Sequence, residues 1–506
     1  MKNVFPLVVA SVIIISSNLY SEDLEFRHSQ TVRLTLSESY AFVLDNNVDI
    51  SIERNNPLIR QWQIISEKSV FDPVYNFGLN YIDEKEPTAS LTRLSTGLNM
   101  MQSDRLDVTT ALRGLTPLGT SYIVGFDDFK TNGTTTFFKS EYDALFRLGL
   151  TQPLLRNFGF DTNLAGIRVA KINKKISDDQ LRNTLMNKLS DVQKQYWELV
   201  FAIKDLEVRK ESLELAQTLL RDNKKRVEVG VLPPIEITQS EAGVASRKEG
   251  VIVGEQIVSD RENDLKVLIY NDPREIISNN LIPVDEPKIE KMELSLKKSL
   301  ESALRNRPDY IMIRKRINAE KIRLKYYFNQ KLPEVNFVGE YDMRGIRENF
   351  GNTIDRLNSQ EERAWLLGVE VNIPLGNRKP NSEYRISKLS LKQLEFELKK
   401  IELNLVKEID NAIANIKTNY QRVEATMASR KLAKEALDAE INKLETGTST
   451  SHDVLQFQDE LSRAKAEEIR AIIDLNKSIF QLYLVEGTVL HRLEIDFEEQ
   501  AKKADK

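Results

Sequence analysis

The chain contains two copies of one pattern, and this internal duplication constrains its fold more than any other feature of the sequence. Residues 36–81 align without a gap with residues 296–341, at a displacement of 260 positions. Further along the chain the displacement becomes 217 positions, so that Gly230 matches Gly447. The matches fall at turns, strand ends and helix faces. The sequence therefore predicts two structural repeats with the same order of helices and strands.

The composition excludes several classes of protein. The chain has 506 residues, of which 29% are charged and 41% hydrophobic, a balance typical of neither a disordered chain nor a helical membrane protein. Its net charge of -4 gives no electrostatic reason to expect a nucleic acid partner. It has no cysteine, which excludes disulfides, thiol catalysis and zinc–cysteine sites. It also lacks a P-loop and a G-x-S-x-G element, so we expect no enzyme, no cofactor and no metal.

The N-terminus is typical of an export signal. Lys2 supplies the positive start, and residues 4–15 are nearly all apolar, a run that is too short to span a bilayer. Small residues follow, and we place the cleavage site after Ser21. We interpret residues 1–21 as a signal peptide, with a buried N-terminal segment as the alternative. After Ser21 no apolar run of about 18 residues occurs.

Each repeat contains a predicted hairpin of strands. The hairpins cover about residues 71–154 in the first repeat (22–270) and about residues 333–375 in the second repeat (294–486). In the first strand, apolar and polar or small residues alternate: Tyr75, Phe77, Leu79 and Tyr81 with Asn76, Gly78 and Asn80. This period of two is typical of a strand with one apolar face, either in a soluble sandwich or in a membrane barrel. Four strands cannot close a barrel, so a barrel would require several copies of the chain.

Two predicted helices are much longer than a globular core requires. They cover about residues 164–228 and 384–445, and at roughly 1.5 Å per residue each is about 100 Å long. The shorter helices of each repeat are about half as long, so each long helix can pack against two short helices laid end to end. We expect a helical rod with a small belt at its middle, formed by the linker 271–293 and the tail 487–506.

Several short motifs follow one another at characteristic spacings. They are Phe71-Asp-Pro before the first strand, Leu150-Thr-Gln-Pro-Leu-Leu-Arg-Asn-Phe-Gly after its return strand, Tyr196-Trp-Glu-Leu in the first long helix, and the turns at Gly230 and Gly447. In this order they resemble the TolC-like family of outer-membrane efflux proteins. The resemblance implies a mixed α and β membrane protein. It would be a homotrimer with a 12-stranded transmembrane β-barrel, continued by a long periplasmic α-helical barrel.

The resemblance also implies a function. Such a protein is the exit duct of a tripartite efflux or type I secretion system, located in the outer membrane with a large periplasmic portion. It passes small molecules or proteins from an inner-membrane pump and a periplasmic adaptor to the exterior, and it performs no chemistry. Its partners are the adaptor, the pump and outer-membrane lipid, with no nucleic acid. The alternative is an exported structural coiled-coil protein of the envelope without channel activity, which leaves the alternating strands unexplained.

The turns that follow the two long helices form the candidate site. Glycine can end a helix there because it tolerates the left-handed conformation. The resemblance implies that an adaptor contacts these turns and that acidic residues after the second turn narrow the periplasmic entrance. The contact residues are then Gly230, Val231, Leu232, Gly447, Thr448 and Ser449, and the gate residues are Asp453 and Gln456.

Two of these positions depart from the family pattern. Gln456 stands at the second acidic position, and Ser449 stands where relatives can carry a pairing basic residue. Any gate in this chain is therefore less acidic, and the ion-pair latch is in doubt. The alternative is that Asp453 and the turn residues are only helix caps.

The first hairpin contains the one large difference between the repeats. The change in displacement places about 43 extra residues between Tyr81 and Asp143. Part of this segment, residues 105–126, alternates again around Gly114 and Gly119. It could lengthen the barrel strands, form an extra hairpin outside the cell, or be a tolerated surface insertion.

Overall fold

The computed structural model describes residues 30–89, 93–94, 97, 99–134, 136, 138–359 and 361–503, and the predicted signal peptide lies outside these ranges. The helices are α1 (Leu36–Asn46), α2 (Val48–Lys68), α3 (Phe160–Asn163), α4 (Ala165–Glu228), α5 (Ile235–Ile269), α6 (Pro273–Ser278), α7 (Leu296–Asn306), α8 (Pro308–Gln330), α9 (Phe350–Ser359), α10 (Arg378–Glu445), α11 (Ser451–Glu486), α12 (Val489–Arg492) and α13 (Phe497–Lys502). The strands are β1 (Gln30–Leu34), β2 (Val74–Pro87), β3 (Met100–Leu115), β4 (Ser121–Gly133), β5 (Glu141–Pro153), β6 (Asn279–Pro283), β7 (Glu334–Arg347) and β8 (Arg363–Asn372).

The duplication in the sequence is a duplication of structure. Helix α7 and strand β7 begin and end 260 positions after α1 and β2. The C-terminal ends of α10 and α11 lie 217 positions after those of α4 and α5. Each repeat therefore supplies two short helices, a set of strands, a long helix and a further shorter helix. The two short helices stand where one helix was predicted, and they are divided at Asn47 in the first repeat and at Arg307 in the second.

A rod of helices forms most of the molecule. Helix α4 has 64 residues and α10 has 68, which corresponds to lengths of roughly 96 and 102 Å. As the helix lengths predict, α4 packs against α2 and α5, and α10 packs against α8 and α11. The two units join through α4, which also contacts α8 and α11. Within the described residues, no helix is both long enough and apolar enough to cross a membrane.

A small sheet packs on the middle of the rod. Strands β1 and β6 pair in parallel, with Val32 opposite Leu281. Tyr196, at the centre of α4, is fully buried, and its hydroxyl donates to the Leu34 carbonyl oxygen at 3.0 Å and to the Asp285 carboxylate at 2.8 Å. Strand β6 comes from the segment predicted as the linker, and α12 of the predicted tail packs in the same hydrophobic cluster.

The second sheet stands at one end of the rod and has six strands in the order β2-β3-β4-β5-β7-β8. Every neighbouring pair is antiparallel. The expectation of four such strands per chain, on which the count of 12 in the barrel depends, is therefore wrong. The reason is that the extra segment between Tyr81 and Asp143 forms two complete strands, β3 and β4, which lie between β2 and β5. It leaves β2 at 14 residues, the length of its counterpart β7, while β5 has 13 residues and its counterpart β8 has 10.

The two faces of this sheet differ in chemistry. One face carries an apolar row that crosses all six strands: Tyr75, Leu112, Val124, Leu148, Tyr341 and Trp365. The opposite face carries ion pairs. Arg147 lies 3.5 Å from Asp342, and Arg344 makes two hydrogen bonds to the Asp143 carboxylate, at 2.8 and 2.5 Å. The outermost residues of the apolar row, Tyr75 and Trp365, are 64% and 71% exposed, so this face lacks a protein partner within the described part of the chain.

Candidate functional site

The end of the rod far from the six-stranded sheet consists of two turns between helices. In the first turn, α4 ends at Glu228 and Gly230 adopts φ +75°. The N–H of Val231 then donates to the Arg226 carbonyl oxygen at 2.8 Å, which satisfies a carbonyl that the helix end would otherwise leave free. Pro234 precedes the first residue of α5 and directs the chain back along the rod.

The second turn has the same backbone geometry. Helix α10 ends at Glu445, Gly447 adopts φ +76°, and the N–H of Thr448 donates to the Lys443 carbonyl oxygen at 2.9 Å. Both glycines would place an added Cβ in open space. Their requirement is therefore conformational rather than steric, because a residue with a Cβ is strained at this φ.

The residue that caps α11 is Thr450, whereas the sequence pointed to Asp453 as the cap. Thr450 and Asp453 form a reciprocal capping box. The Asp453 N–H donates to the Thr450 hydroxyl at 3.3 Å, and the Thr450 hydroxyl and N–H donate to the Asp453 carboxylate at 2.7 and 3.3 Å. Asp453 therefore has a capping role, at the third helical position.

Asp453 belongs to a small polar cluster that the sequence did not reveal. The Ser449 hydroxyl donates to the Glu440 carboxylate at 2.5 Å and lies 3.5 Å from the Asp453 carboxylate. Lys443 donates to the other Glu440 oxygen at 2.9 Å. Ser449, named as an adaptor contact, thus connects two acidic groups across the turn.

Both carboxylates in this cluster are stabilised in the charged form. Hydrogen bonds from the Thr450 hydroxyl and N–H hold the pKa of Asp453 below its usual range, with a smaller contribution from the nearby His452. Hydrogen bonds from Ser449 and Lys443 likewise lower the pKa of Glu440. At neutral pH this cluster therefore contains two carboxylates, of which that of Glu440 is paired with Lys443.

A buried asparagine ties the two turns together. The Asn223 side-chain amide, 1% exposed, donates to the hydroxyls of Ser240 and Ser451, both at 2.7 Å. The Ser451 N–H donates to the Glu236 carboxylate at 3.3 Å, and Arg226 donates to the Leu444 carbonyl oxygen at 3.3 Å. These contacts fix the start of α11 against both α4 and α5. The signal that could have revealed Asn223 is its position seven residues, or two helical turns, before Gly230, matched by Glu440 before Gly447.

The surface of the tip is partly apolar. Val229, Val231 and Ile235 are 74%, 69% and 56% exposed, while Leu232 is half-buried. Gly230, Gly447 and Thr448 are exposed, and Ser449 is half-buried. The first turn thus presents valine and isoleucine side chains, and the second turn presents hydroxyl groups and acids.

The two predicted gate residues do not contact each other in one chain. Gln456 is exposed, and its amide donates to the Glu460 carboxylate at 3.1 Å along the same helix. Asp453 turns instead toward Thr450 and Ser449. The described residues contain no group of three histidine or acidic side chains that could hold a metal ion.

Part of the chain is similar in sequence to a known protein family. Residues 299–488, most of the second repeat, match the family described as outer membrane efflux protein. No curated protein matches the chain significantly in sequence.

Several solved structures share the fold. The Campylobacter jejuni CmeC outer membrane channel superimposes with a TM-score of 0.67 at 16% identity, over 93% of this chain and 89% of that one. The Vibrio cholerae outer membrane protein VceC gives 0.63 at 15% identity, over 89% of this chain and 96% of that one. The open state of the Neisseria gonorrhoeae MtrE outer membrane channel gives 0.62 at 15% identity, over 90% and 89%. The family match supports the resemblance to outer membrane efflux proteins over residues 299–488, and the solved structures show that the fold is shared over nearly the whole chain.

Proposed function

We propose that this protein is the exit duct of a tripartite transport system. It would be a homotrimeric outer-membrane channel that passes small molecules or proteins from an inner-membrane pump, through a periplasmic adaptor, to the exterior. The observation that carries the proposal is a helical rod about 100 Å long joined at one end to a six-stranded sheet with one apolar and one charged face. The sheet would stand in the outer membrane and the rod in the periplasm.

The apolar face of the sheet supports contact with lipid. Its side chains are large and, in both edge strands, more than half exposed: Tyr75, Phe77, Leu79 and Tyr81 in β2 and Trp365, Leu367, Val369 and Val371 in β8. A soluble chain rarely exposes so continuous an apolar surface. The lipid-facing side of a transmembrane sheet has this composition, while the side that faces water is polar.

The edges of the sheet support assembly into an oligomer. Strands β2 and β8 each have one neighbour and therefore one edge of unpaired backbone groups. Unpaired backbone groups in a bilayer cost several kcal/mol each, so an open edge does not persist there. Pairing of β2 of one copy with β8 of the next would close the sheet, and the family resemblance sets the number of copies at three.

The residues at the tip of the rod support two parts of the proposal, contact with an adaptor and the presence of a gate. The residues of the two turns would form a rim that a hydrophobic adaptor surface could contact. They are Gly230, Val231 and Leu232 in the first turn and Gly447, Thr448 and Ser449 in the second. Asp453 and Gln456 follow directly, and three copies around an axis would bring three carboxylates together, where they would repel one another and attract cations.

The channel proposal is tested by extraction and electrophoresis. The protein should be recovered from the membrane fraction only with detergent, should run as a trimer on an unboiled gel, and should open pores in a planar bilayer. An exported coiled-coil protein would instead be recovered in aqueous extract, without a heat-sensitive trimer or a current.

A matched pair of variants tests the orientation of the sheet. Leu367→Arg places a charge on the apolar face, which costs about 2–4 kcal/mol at the middle of a bilayer, and should abolish the trimer in the membrane fraction. Glu370→Arg changes the opposite face of the same strand and should leave the trimer intact. Equal behaviour of the two variants would contradict the proposed lipid face.

A further inference from the structure

The extra segment of the first repeat is continuous with the sheet along its full height. Strand β3 pairs with β2 from Val74 opposite Arg113 to Pro87 opposite Met100. Strand β4 pairs with β3 over 13 residue pairs and with β5 over 11. Since β2 and β5 are separated by these two strands, they cannot pair with each other as the two strands of the second repeat do.

The inserted strands also continue both faces. Leu112 and Val124 stand in the apolar row between Tyr75 and Leu148. On the other face, Arg105 forms an ion pair with Asp107 at 2.7 Å. The apolar stretch of β4 is shorter than that of its neighbours, because Asp128 and Lys130 lie on the apolar side near its outer end. A surface insertion has no reason to reproduce this two-sided pattern, whereas a strand of the wall requires it.

The turn between β3 and β4 is seated at the junction with the rod. The Gly159 N–H donates to the Leu118 carbonyl oxygen at 3.0 Å. Gly119 adopts φ +98°, and a Cβ there would lie 2.3 Å from the Asn157 carbonyl oxygen and 2.8 Å from the Asn163 amide nitrogen. The hairpin therefore reaches the level at which the other strands meet the helices, and its turn fits closely against the loop that leads from β5 into α4.

We propose that β3 and β4 are part of the channel wall, so that three copies of the six-stranded sheet close a barrel of eighteen strands. The inference rests on the proposed function. Barrel diameter grows roughly in proportion to strand number. The diameter of this barrel would therefore be about 1.5 times that of a twelve-stranded barrel, and its cross-sectional area roughly twice as large. Barrels of 16–18 strands leave an open aqueous channel. The outer section would then admit large hydrated solutes, and the size limit would be set at the tip of the rod.

Cysteine labelling tests the position of the hairpin, since the natural chain has no cysteine. In trimers reconstituted into bilayers, Ile123→Cys should react with a charged, membrane-impermeant maleimide, and Val124→Cys should be protected. Arg147→Cys and Leu148→Cys on β5 are matched controls for the polar and apolar faces. Reaction of both Ile123→Cys and Val124→Cys, with Leu148→Cys protected, would place the hairpin outside the wall and overturn the inference.

A replacement variant tests the width. Residues 88–140 are exchanged for residues 348–362, the connection that the second repeat uses between its two strands. Single-particle images of detergent-purified trimers should show a sheet end about one third narrower than in the natural protein, and in bilayers smaller polyethylene glycols should suffice to block the pore. Unchanged width in a trimeric variant would contradict the inference. If this variant does not assemble, the labelling experiment decides. Loss of trimers and pores in the natural chain would instead contradict the proposed function.

Discussion

The two repeats have nearly the same helices but differ at the tip of the rod. Asn223 and Glu440 occupy equivalent positions, 217 residues apart, and both are buried. The neutral Asn223 donates to Ser240 in α5 and Ser451 in α11, the helices that follow the two turns, whereas the charged Glu440 accepts a hydrogen bond from Ser449 in its own turn. Glu236 and Asp453 are likewise equivalent, yet Glu236 supports the start of α11 while Asp453 supports its own capping box. The first turn therefore joins the two repeats, and the second turn carries the acidic cluster.

The repeats differ again at the sheet. The first supplies four strands and the second supplies two, with α9 in the connection between β7 and β8. A helix in the rod is held in register by neighbours along its whole length, so an insertion there would displace many contacts. A loop at the end of a hairpin has no such constraint, and lengthening it costs little closure entropy. The two repeats therefore agree along the rod and differ at its two ends.

The largest effect is expected at the junction of the inserted hairpin. Gly119→Ala forces a Cβ against the Asn157 carbonyl oxygen, whereas Gly159→Ala, at a similar positive φ of +90°, meets open space. Both variants carry the backbone strain, of about 1–2 kcal/mol, and the overlap adds about 1–3 kcal/mol for Gly119→Ala alone. The trimer of Gly119→Ala should dissociate at a clearly lower temperature on unboiled gels. Equal dissociation temperatures would mean that the turn is not seated as described.

The connection between the turns is the next target. Asn223→Leu removes two buried hydrogen bonds and should destabilise the start of α11 by about 1–3 kcal/mol. Faster hydrogen exchange in the first turns of α11 is the measurement, with the exposed Asn442→Leu as the control. The effect of Asn223→Leu should shrink in a Ser451→Ala background, because the bond between the two residues is already absent. Additive effects would indicate that Asn223 acts only within the first turn.

The rod could be predicted well because helices depend on local periodicity. The two long helices were expected at residues 164–228 and 384–445, and the structure has them at Ala165–Glu228 and Arg378–Glu445. The second long helix begins six residues earlier than predicted, at Arg378, and Pro380 lies in its first turn. Proline is tolerated in the first turn of a helix, where its missing N–H has no intrahelical partner.

The sheet and the site were less predictable because they depend on distant contacts. Alternation over residues 105–126 was visible, but nothing local specifies that β3 and β4 pair with β2 and β5. Asn223 and Glu440 looked like ordinary polar helix residues, since their partners lie across a turn or in the other repeat. The turn glycines were predictable because the left-handed conformation is a local requirement.

A smaller effect is expected from the second turn glycine. Gly447→Val strains the turn by about 1–2 kcal/mol at φ +76° and should alter the rim without affecting the sheet. Drug resistance or export in cells should fall while the trimer on an unboiled gel stays intact. Glu445→Val, a β-branched residue at a helical and exposed position, is the control and should leave transport unchanged. Full transport by Gly447→Val would contradict adaptor contact at this turn.

The smallest effect concerns the charge of Asp453. Its folded pKa is lowered by the Thr450 hydrogen bonds, so the carboxylate is charged at neutral pH and its charge is lost only below the range in which an aspartate ordinarily titrates. Asp453→Asn should therefore change pore conductance and the response to divalent cations at pH 7, and the natural channel should approach the variant as the pH falls through the depressed pKa. Gln456→Glu adds an acid one helical turn on and should shift the cation response in the opposite direction. Identical currents for Asp453→Asn and the natural protein at pH 7 would leave Asp453 as a helix cap alone, and the second turn would then differ from the first only in its contacts.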